Sequence, residues 1–271
     1  MEYILTDNGL INSIDEFRRY NELRQPVYEV IRVIQGVPLF LEDHFNRLLK
    51  SIELQRMVFR MSYREYKQLI TQLIEKNERT EGNVKFVFSE DGGQAQWAFF
   101  FIGHSYPDQY MYSEGVVTDL LYAERVNPNA KVLQPQIRDR ANQQIKAQNL
   151  YEVLLVDGNG LITEGSRSNV FFIQSEVFYT APASMVLEGI TRRKVVECIR
   201  SLGYTLVEDA IREDELPQFD GVFITGTSPK VLPVRLVGMQ AFRVSLEPLR
   251  NLMLRYDQSI DDYIQREKVA G

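Results

Sequence analysis

The sequence predicts an α+β protein with two domains, a small α/β domain at the N-terminus and a larger β-rich domain at the C-terminus. Its 271 residues exceed the length of ~250 residues at which a single hydrophobic core usually stops growing. Along the chain, the spacing of apolar residues switches repeatedly between the period of a strand and that of a helix. A connector that carries Pro and Asn, ERVNPNAKVLQPQ, interrupts this pattern. We therefore predict domains at residues 1–122 and 130–271, joined by a linker at residues 123–129.

The N-terminal domain begins with predicted sheet. After a short opening strand, the β-rich run Val27–Ile34 ends at Gln35 and Gly36, a pair that favours a hairpin turn. The chain then returns through the apolar run Val37–Leu41. This segment is therefore predicted to form two paired strands.

Two helices follow in the same domain. Apolar residues recur at helical spacing between residues 41 and 52, which places His44 and Arg47 three residues apart on a neighbouring face. Ser62 and Glu65 have the spacing of a capping box, so the second helix is predicted to begin at Ser62.

The rest of the chain alternates predicted strands with three helices. Helices are predicted at Ile137–Asn149, Thr191–Leu202 and Glu247–Arg266. Strands are predicted at Val84–Phe88, Trp97–Ile102, Val116–Leu121, Val153–Val156, Tyr204–Val207, Val222–Thr225 and Val231–Val237, with two more running through Phe172 and Tyr179.

Composition excludes several classes of function. The net charge is −6 without a dense basic stripe, so nucleic acid is not an expected partner. Cys198 is the only cysteine, and His44 and His104 are the only histidines, so we expect neither a disulfide framework nor a metal site. The N-terminus lacks the pattern of a signal peptide, and no window approaches ~20 apolar residues. We therefore expect a cytoplasmic protein without a membrane partner.

Three motifs carry more special residues than packing requires. In LEGITR (187–192) a glycine precedes a helix, whose first N–H groups can bind an anion, although Thr191 could simply cap that helix. In ITGTSPK (224–230) a strand enters a hydroxyl-rich turn that suits phosphate, although it could equally be a solvated loop. In ITEGSRSNVFF (162–172) Glu164 ends a strand, a position where a lone carboxylate is usually solvated.

These motifs stand in an order that resembles the class IV aminotransferases. YEVIR (28–32) and HFNRL (44–48) precede the other three, and the resemblance extends from about Tyr28 to about Val234. The family is the fold type IV group of pyridoxal-phosphate enzymes, which includes branched-chain and D-amino-acid aminotransferases and aminodeoxychorismate lyase. The resemblance implies that fold and pyridoxal 5′-phosphate as the cofactor.

The resemblance also implies which residues bind the cofactor. Arg47 would bind the phosphate, with further donors from Ile190 and Thr191 at a helix N-terminus and from Thr227 in the ITGTSPK turn. Glu164 would face the pyridine nitrogen, where a carboxylate raises the pKa of the ring nitrogen by charge pairing.

The Schiff-base lysine is expected at Lys131. It lies 33 residues before Glu164, a separation similar to that in the family, whereas the competing Lys146 lies 18 residues before it. A neutral amine at Lys131 would also serve as the base that moves a proton from the substrate.

Substrate-binding residues are less clearly marked in the sequence. Tyr28 stands where relatives place a pocket aromatic, although core packing is an equal alternative. The loop SEDGGQAQW lacks the Arg and His with which D-amino-acid aminotransferases bind the substrate carboxylate. We hypothesise that Arg167, together with Arg138, replaces them, although Arg167 could instead point to solvent.

The predicted function is that of an aminotransferase. It would move an amino group between a branched-chain-like amino acid and a 2-oxo acid, and the resemblance implies a homodimer. One alternative is 4-amino-4-deoxychorismate lyase, which eliminates pyruvate with the same cofactor anchors. A second alternative is a pyridoxal-phosphate-binding protein without transaminase activity.

Overall fold

Contacts between Cα atoms divide the chain into two units in the computed structural model, which describes residues 2–12, 14–23, 26–91, 93–132 and 134–270. The first unit comprises Met1–Ser105, Ala130–Leu133 and Ile260–Gly271, and the second comprises Tyr106–Asn129 and Gln134–Ser259.

This division differs from the predicted one. The predicted linker, residues 123–129, lies inside the second unit. The segment after it belongs to the first unit, where Val132 forms an antiparallel bridge with Val27. Pro and Asn mark irregular backbone, and such backbone occurs within a folded unit as well as between units.

The first unit is built on an antiparallel sheet. Its described strands are β1 Ile4–Thr6, β2 Gly9–Ile11, β3 Val27–Ile34, β4 Val37–Pro38, β5 Gly82–Asp91 and β6 Gln94–Ile102. They lie in the order β2-β1-β6-β5-β3-β4. The hairpin between β3 and β4 turns at Gln35 and Gly36, which both have positive φ (52° and 78°), as a type I′ turn requires.

Three helices belong to this unit: α1 Ile14–Asn21, α2 Leu41–Leu54 and α3 Tyr63–Lys76. The predicted capping box is confirmed, since Ser62 caps α3 and Glu65 accepts from the Ser62 backbone N–H. Apolar residues of α2 and α3 pack with Phe86 and Phe99 of the sheet in one hydrophobic cluster. The sheet face beneath α2 is therefore a buried face.

The second unit contains a larger mixed sheet. Its described strands are β7 Val116–Tyr122, β8 Glu152–Val156, β9 Leu161–Gly165, β10 Asn169–Gln174, β11 Val177–Thr180, β12 Thr205–Glu208, β13 Ile211–Arg212, β14 Gly221–Gly226, β15 Lys230–Val237 and β16 Gln240–Ala241. The main order is β12-β11-β10-β14-β15-β7-β8-β9-β13, with β16 paired to β15. Strand β7 runs parallel to β8 and β15, whereas β10 and β14 are antiparallel.

The remaining helices follow the predicted pattern closely. They are α4 Gln109–Glu114, α5 Pro135–Gln148, α6 Ile190–Ser201 and α7 Glu247–Ala270, with a 3₁₀ helix at Glu213–Gln218. The predicted α+β class is confirmed by this arrangement of helices and two sheets. None of the helices within the described ranges combines the length and apolar character needed to cross a membrane.

Candidate functional site

A buried ion pair marks the first unit. Glu29 lies on the core-facing side of β3 and is fully buried. Its carboxylate accepts hydrogen bonds from Arg47 Nε (2.9 Å) and Nη2 (2.6 Å), and His44 Nδ1 lies 2.7 Å away. His44 and Arg47 reach the same carboxylate because their three-residue spacing puts them on one face of α2.

The charge states of this cluster follow from its geometry. Burial acts to raise the pKa of Glu29, but the charge of Arg47 and the hydrogen bonds from Arg47 and His44 outweigh it and lower the pKa to about 2. Burial lowers the pKa of His44, despite the opposing pull of Glu29. The neutral His44 ring therefore donates its Nδ1 proton to the Glu29 carboxylate.

This cluster predicts a loss of stability in acid. Both groups bind fewer protons in the folded chain than in the unfolded chain, so their contribution is complete above about pH 6.5 and is lost as the pH falls through the ordinary pKa of His44 and then that of Glu29. Urea unfolding at pH 7, 5 and 4 should show a decreasing free energy of unfolding, of which Glu29 accounts for at most about 3 kcal/mol. A Glu29→Gln/Arg47→Met double variant should show a shallower dependence on pH. An equal slope in both proteins would contradict the assignment.

Lys131 is anchored to the same helix through its backbone. Its N–H donates to Ser51 Oγ (3.1 Å), and Ser51 Oγ donates to the Arg47 carbonyl oxygen (2.9 Å). The Lys131 carbonyl oxygen accepts from the Tyr28 N–H (3.1 Å) at the start of β3. The buried Ser51 thus connects the predicted phosphate-binding arginine with the predicted Schiff-base lysine.

Two amines lie near the ring of Tyr28. Lys131 Nζ is 4.9 Å from the ring centroid, and Lys85 Nζ is 5.7 Å from it. Lys85 is buried on β5, where it lies opposite Val30 and shares the sheet face of Tyr28. Sequence reasoning missed Lys85, although a single lysine within the apolar strand VKFVF was a recognisable signal. The competing lysine, Lys146, is exposed in the last turn of α5.

In the second unit, Glu164 is a buried and paired carboxylate. Its Oε1 lies 3.2 Å from Arg125 Nη1, and its Oε2 accepts from the Leu187 N–H (3.2 Å). Arg125 was also missed, because the stretch ERVNPN was interpreted only as a connector. The alternative that Glu164 is a solvated charge is wrong, since only 3% of the residue is exposed.

The N-terminus of α6 is open for an anion. Gly189 precedes the helix and provides no side-chain cap, so no side chain accepts from the first N–H groups at Ile190 and Thr191. A Cβ atom at Gly189 would lie only 2.3 Å from Oδ1 of Asn169, whose Nδ2 donates to the Leu187 carbonyl oxygen. The absence of a side chain at Gly189 is therefore required by the packing.

A hydroxyl on the neighbouring strand has no partner. Thr225 lies opposite Asn169 in the pairing of β10 with β14, and its buried Oγ1 makes no hydrogen bond. Thr227 follows in the turn where Gly226 pairs with Lys230. An unpartnered buried hydroxyl and an uncapped helix N-terminus are what a bound phosphate would satisfy.

Arg167 is exposed, and its guanidinium donates to Oδ1 of Asn142 on α5. Asn142 and Arg138 are four residues apart on that helix and so share a face. The structure thus brings Arg167 to the helix face that carries Arg138. The alternative that Arg167 simply extends into solvent is incomplete, because Asn142 holds its guanidinium.

Comparisons with known proteins were made on the whole chain. The sequence profile of the family described as Amino-transferase class IV matches residues 26–237. A D-alanine aminotransferase of Bacillus licheniformis is 29% identical over 227 residues, which cover 79% of each chain.

Two solved structures share the fold. The branched-chain amino acid aminotransferase of T.th., complexed with N-(5′-phosphopyridoxyl)-L-glutamate, superimposes with a TM-score of 0.82 at 21% identity, over 97% of this chain and 95% of that one. A putative 4-amino-4-deoxychorismate lyase of Legionella pneumophila gives a TM-score of 0.79 at 21% identity, over 86% of this chain and 91% of that one.

Proposed function

The chain belongs to the class IV aminotransferase family, and from that premise we propose that it moves an amino group between a branched-chain-like amino acid and a 2-oxo acid. The observation that carries this proposal is the placement of Lys131. Its backbone is fixed by Ser51 and Tyr28, and its amine lies beside the Tyr28 ring. A lysine held in this way can keep a reactive amine in one place while substrates exchange.

The cofactor of this family is pyridoxal 5′-phosphate. When bound, it withdraws electrons from the substrate carbon that bears the amino group, which makes the proton on that carbon removable. The second unit fits its phosphate, because the α6 N-terminus is uncapped and Thr225 Oγ1 lacks a partner. We propose that Ile190, Thr191 and Thr227 donate to the phosphate from this unit.

The first unit would contribute Arg47 and Lys131. Glu29 occupies two nitrogen atoms of Arg47 and so fixes the plane of the guanidinium, which would bind the phosphate in a defined orientation. Lys131 would hold the cofactor through its Nζ atom. Once a substrate amine displaces it, the neutral Nζ would take the proton from the substrate α carbon.

Glu164 would hold a proton on the pyridine nitrogen. Its carboxylate is buried next to Arg125, whose positive charge favours the ionised form of the carboxylate. An ionised carboxylate stabilises a protonated nitrogen by charge pairing, and the low exposure of Glu164 strengthens that pairing.

The substrate would be bound by a separate set of side chains. We propose that Tyr28 lines the substrate pocket and that the guanidinium groups of Arg138 and Arg167 bind the carboxylate. Lys85 is a further candidate for carboxylate binding, since its buried amine lies near the same Tyr28 ring. These cations would replace the Arg and His that are missing from the loop SEDGGQAQW.

Replacing Arg167 tests its part in substrate binding. Arg167→Ala should raise the KM for the amino donor about 10-fold to 100-fold, the loss expected for a hydrogen bond to a charged group, while kcat changes less. Thermal stability should change little because the side chain is exposed. Asn142→Ala, which removes only the group that holds the guanidinium, should have a smaller effect in the same direction. An unchanged KM in Arg167→Ala would contradict the assignment.

A paired assay separates the candidate reactions. The holoenzyme is incubated with L-valine, L-leucine or L-isoleucine and 2-oxoglutarate, and separately with 4-amino-4-deoxychorismate. Formation of glutamate in the first mixture supports the proposal, whereas pyruvate release in the second identifies a lyase. A visible cofactor band that no amino acid shifts or bleaches would instead indicate a binding protein without transaminase activity.

We also propose that the protein is a cytoplasmic homodimer, as the family resemblance implies. Light scattering during size-exclusion chromatography should give a mass of twice the 31.5 kDa chain. A mass of 31.5 kDa would contradict the dimer.

A further inference from the structure

Glu152, the first residue of β8, is a buried carboxylate with four hydrogen-bond donors. The Val153 N–H (2.9 Å) and Ser166 Oγ (2.7 Å) donate to Oε1, and the Arg167 N–H (3.1 Å) and Ser168 Oγ (3.0 Å) donate to Oε2. Only 4% of Glu152 is exposed. Two backbone N–H groups and two hydroxyls therefore surround this carboxylate.

Three of these donors come from the turn that directly follows Glu164. This turn joins β9 to β10 and is closed by a 2.7 Å hydrogen bond from the Gly165 N–H to the Ser168 carbonyl oxygen. A Cβ atom at Gly165 would lie 2.0 Å from Ser168 Oγ and 3.2 Å from atoms of Glu152. The turn is thus wrapped around the Glu152 carboxylate with no space for a larger residue.

Both ends of the turn contact the segment that leads into α6. At one end, the Glu164 carboxylate accepts from the Leu187 N–H, and at the other, Asn169 Nδ2 donates to the Leu187 carbonyl oxygen. Leu187 lies two residues before Gly189, which precedes the first turn of α6. The shape of the turn therefore sets the positions of Glu164 and of the uncapped helix N-terminus together.

We propose that Glu152 is a positioning residue for the cofactor site. It would hold the turn from Gly165 to Ser168 so that Glu164 and the α6 N-terminus keep the places needed for the pyridine ring and the phosphate. This inference rests on the proposed function, in which Glu164 faces the pyridine nitrogen. Glu152 itself contacts neither substrate nor cofactor in this account.

Glu152→Gln changes this arrangement with almost no change in shape. The amide has one oxygen acceptor in place of two, and its NH₂ group cannot accept from a backbone N–H. A serine hydroxyl can rotate and accept from the NH₂ group, whereas the N–H groups of Val153 and Arg167 cannot. Val153 is fixed in β8, so the Arg167 N–H loses its partner and the turn relaxes at that point.

The experiment compares the wild-type holoenzyme with Glu152→Gln, Glu164→Gln and the control Glu176→Gln, an exposed glutamate elsewhere in the second unit. The dissociation constant of pyridoxal 5′-phosphate is measured on each apoprotein, and the visible absorbance of each holoenzyme is titrated with pH. We expect Glu152→Gln to bind the cofactor about 10-fold more weakly. Its spectral midpoint should shift in the same direction as that of Glu164→Gln, but less, while Glu176→Gln should match the wild type.

Wild-type affinity and an unshifted midpoint in Glu152→Gln would overturn the inference. So would a shift in Glu152→Gln without any shift in Glu164→Gln, because Glu152 would then act by another route. If Glu152→Gln fails to fold, the double variant Ser166→Ala/Ser168→Ala serves instead, since it removes two of the four donors and keeps the carboxylate. Failure of the proposed function is seen separately, as a Glu164→Gln protein with wild-type spectrum and activity.

Discussion

Lys131→Ala is expected to abolish amino-group transfer, with kcat reduced at least about 10³-fold, because one residue supplies both the attachment of the cofactor and the base that moves the proton. The variant should fold, since Lys131 makes its two hydrogen bonds through backbone atoms that alanine retains. Its absorbance should lack the visible band of the lysine-bound cofactor. Single-turnover kinetics and absorbance spectra of the purified variant provide both measurements.

Lys146→Ala is the matched control for this experiment. Lys146 is exposed in the last turn of α5, so its replacement should leave activity and the visible band unchanged. If Lys146→Ala were inactive and Lys131→Ala active, the positions assigned to the lysine and to Glu164 would both have to be revised.

Glu164→Gln is expected to have the second largest effect, a decrease in kcat of about 10²-fold or more. The amide keeps the shape of the side chain but removes the negative charge that would stabilise a protonated pyridine nitrogen. The KM for the amino donor should change less than kcat, because the missing interaction acts mainly on the transition state. Steady-state kinetics with a saturating cofactor concentration separates the two parameters.

Arg125 offers a graded comparison for Glu164. Arg125→Met removes the neighbouring charge while leaving the Leu187 N–H bonded to the carboxylate. A decrease in kcat smaller than that of Glu164→Gln is expected. A Glu164→Gln enzyme with wild-type kcat would contradict the assigned role of the carboxylate.

Local sequence patterns predicted the elements of this fold well. The alternation in VYEVIRVI identified β3, and the Ser62 and Glu65 pair located the start of α3 within one residue. These elements depend on interactions between residues close in sequence, so the sequence alone contains the information. The spacing of His44 and Arg47 likewise predicted a shared helix face, and both reach Glu29 from it.

Contacts between distant parts of the chain could not be predicted in the same way. Lys131 returns to the first unit and bonds with Ser51, which lies 80 residues earlier. Arg125 pairs with Glu164 across 39 residues, and Lys85 shares a sheet face with Tyr28 only because β5 pairs with β3. Such contacts depend on strand order and register, for which a single sequence gives no local signal.

The sequence resemblance identified the candidate site residues but not what holds them in place. The tight turn after Glu164 is predictable from small residues, whereas the carboxylate of Glu152 at its centre lies in an otherwise apolar strand. The partners of Arg47 and Arg167 also came only from the structure. Positions of charged side chains are set by packing, which is a property of the folded chain.

The most direct test of the account is to locate the lysine that carries the cofactor. The holoenzyme is reduced with borohydride, which fixes the cofactor covalently to that lysine, and the protein is then digested and mapped by mass spectrometry. We predict a phosphopyridoxyl group on Lys131 alone. A label on Lys146, or no label on any peptide, would contradict the assignment of Lys131 and the mechanism built on it.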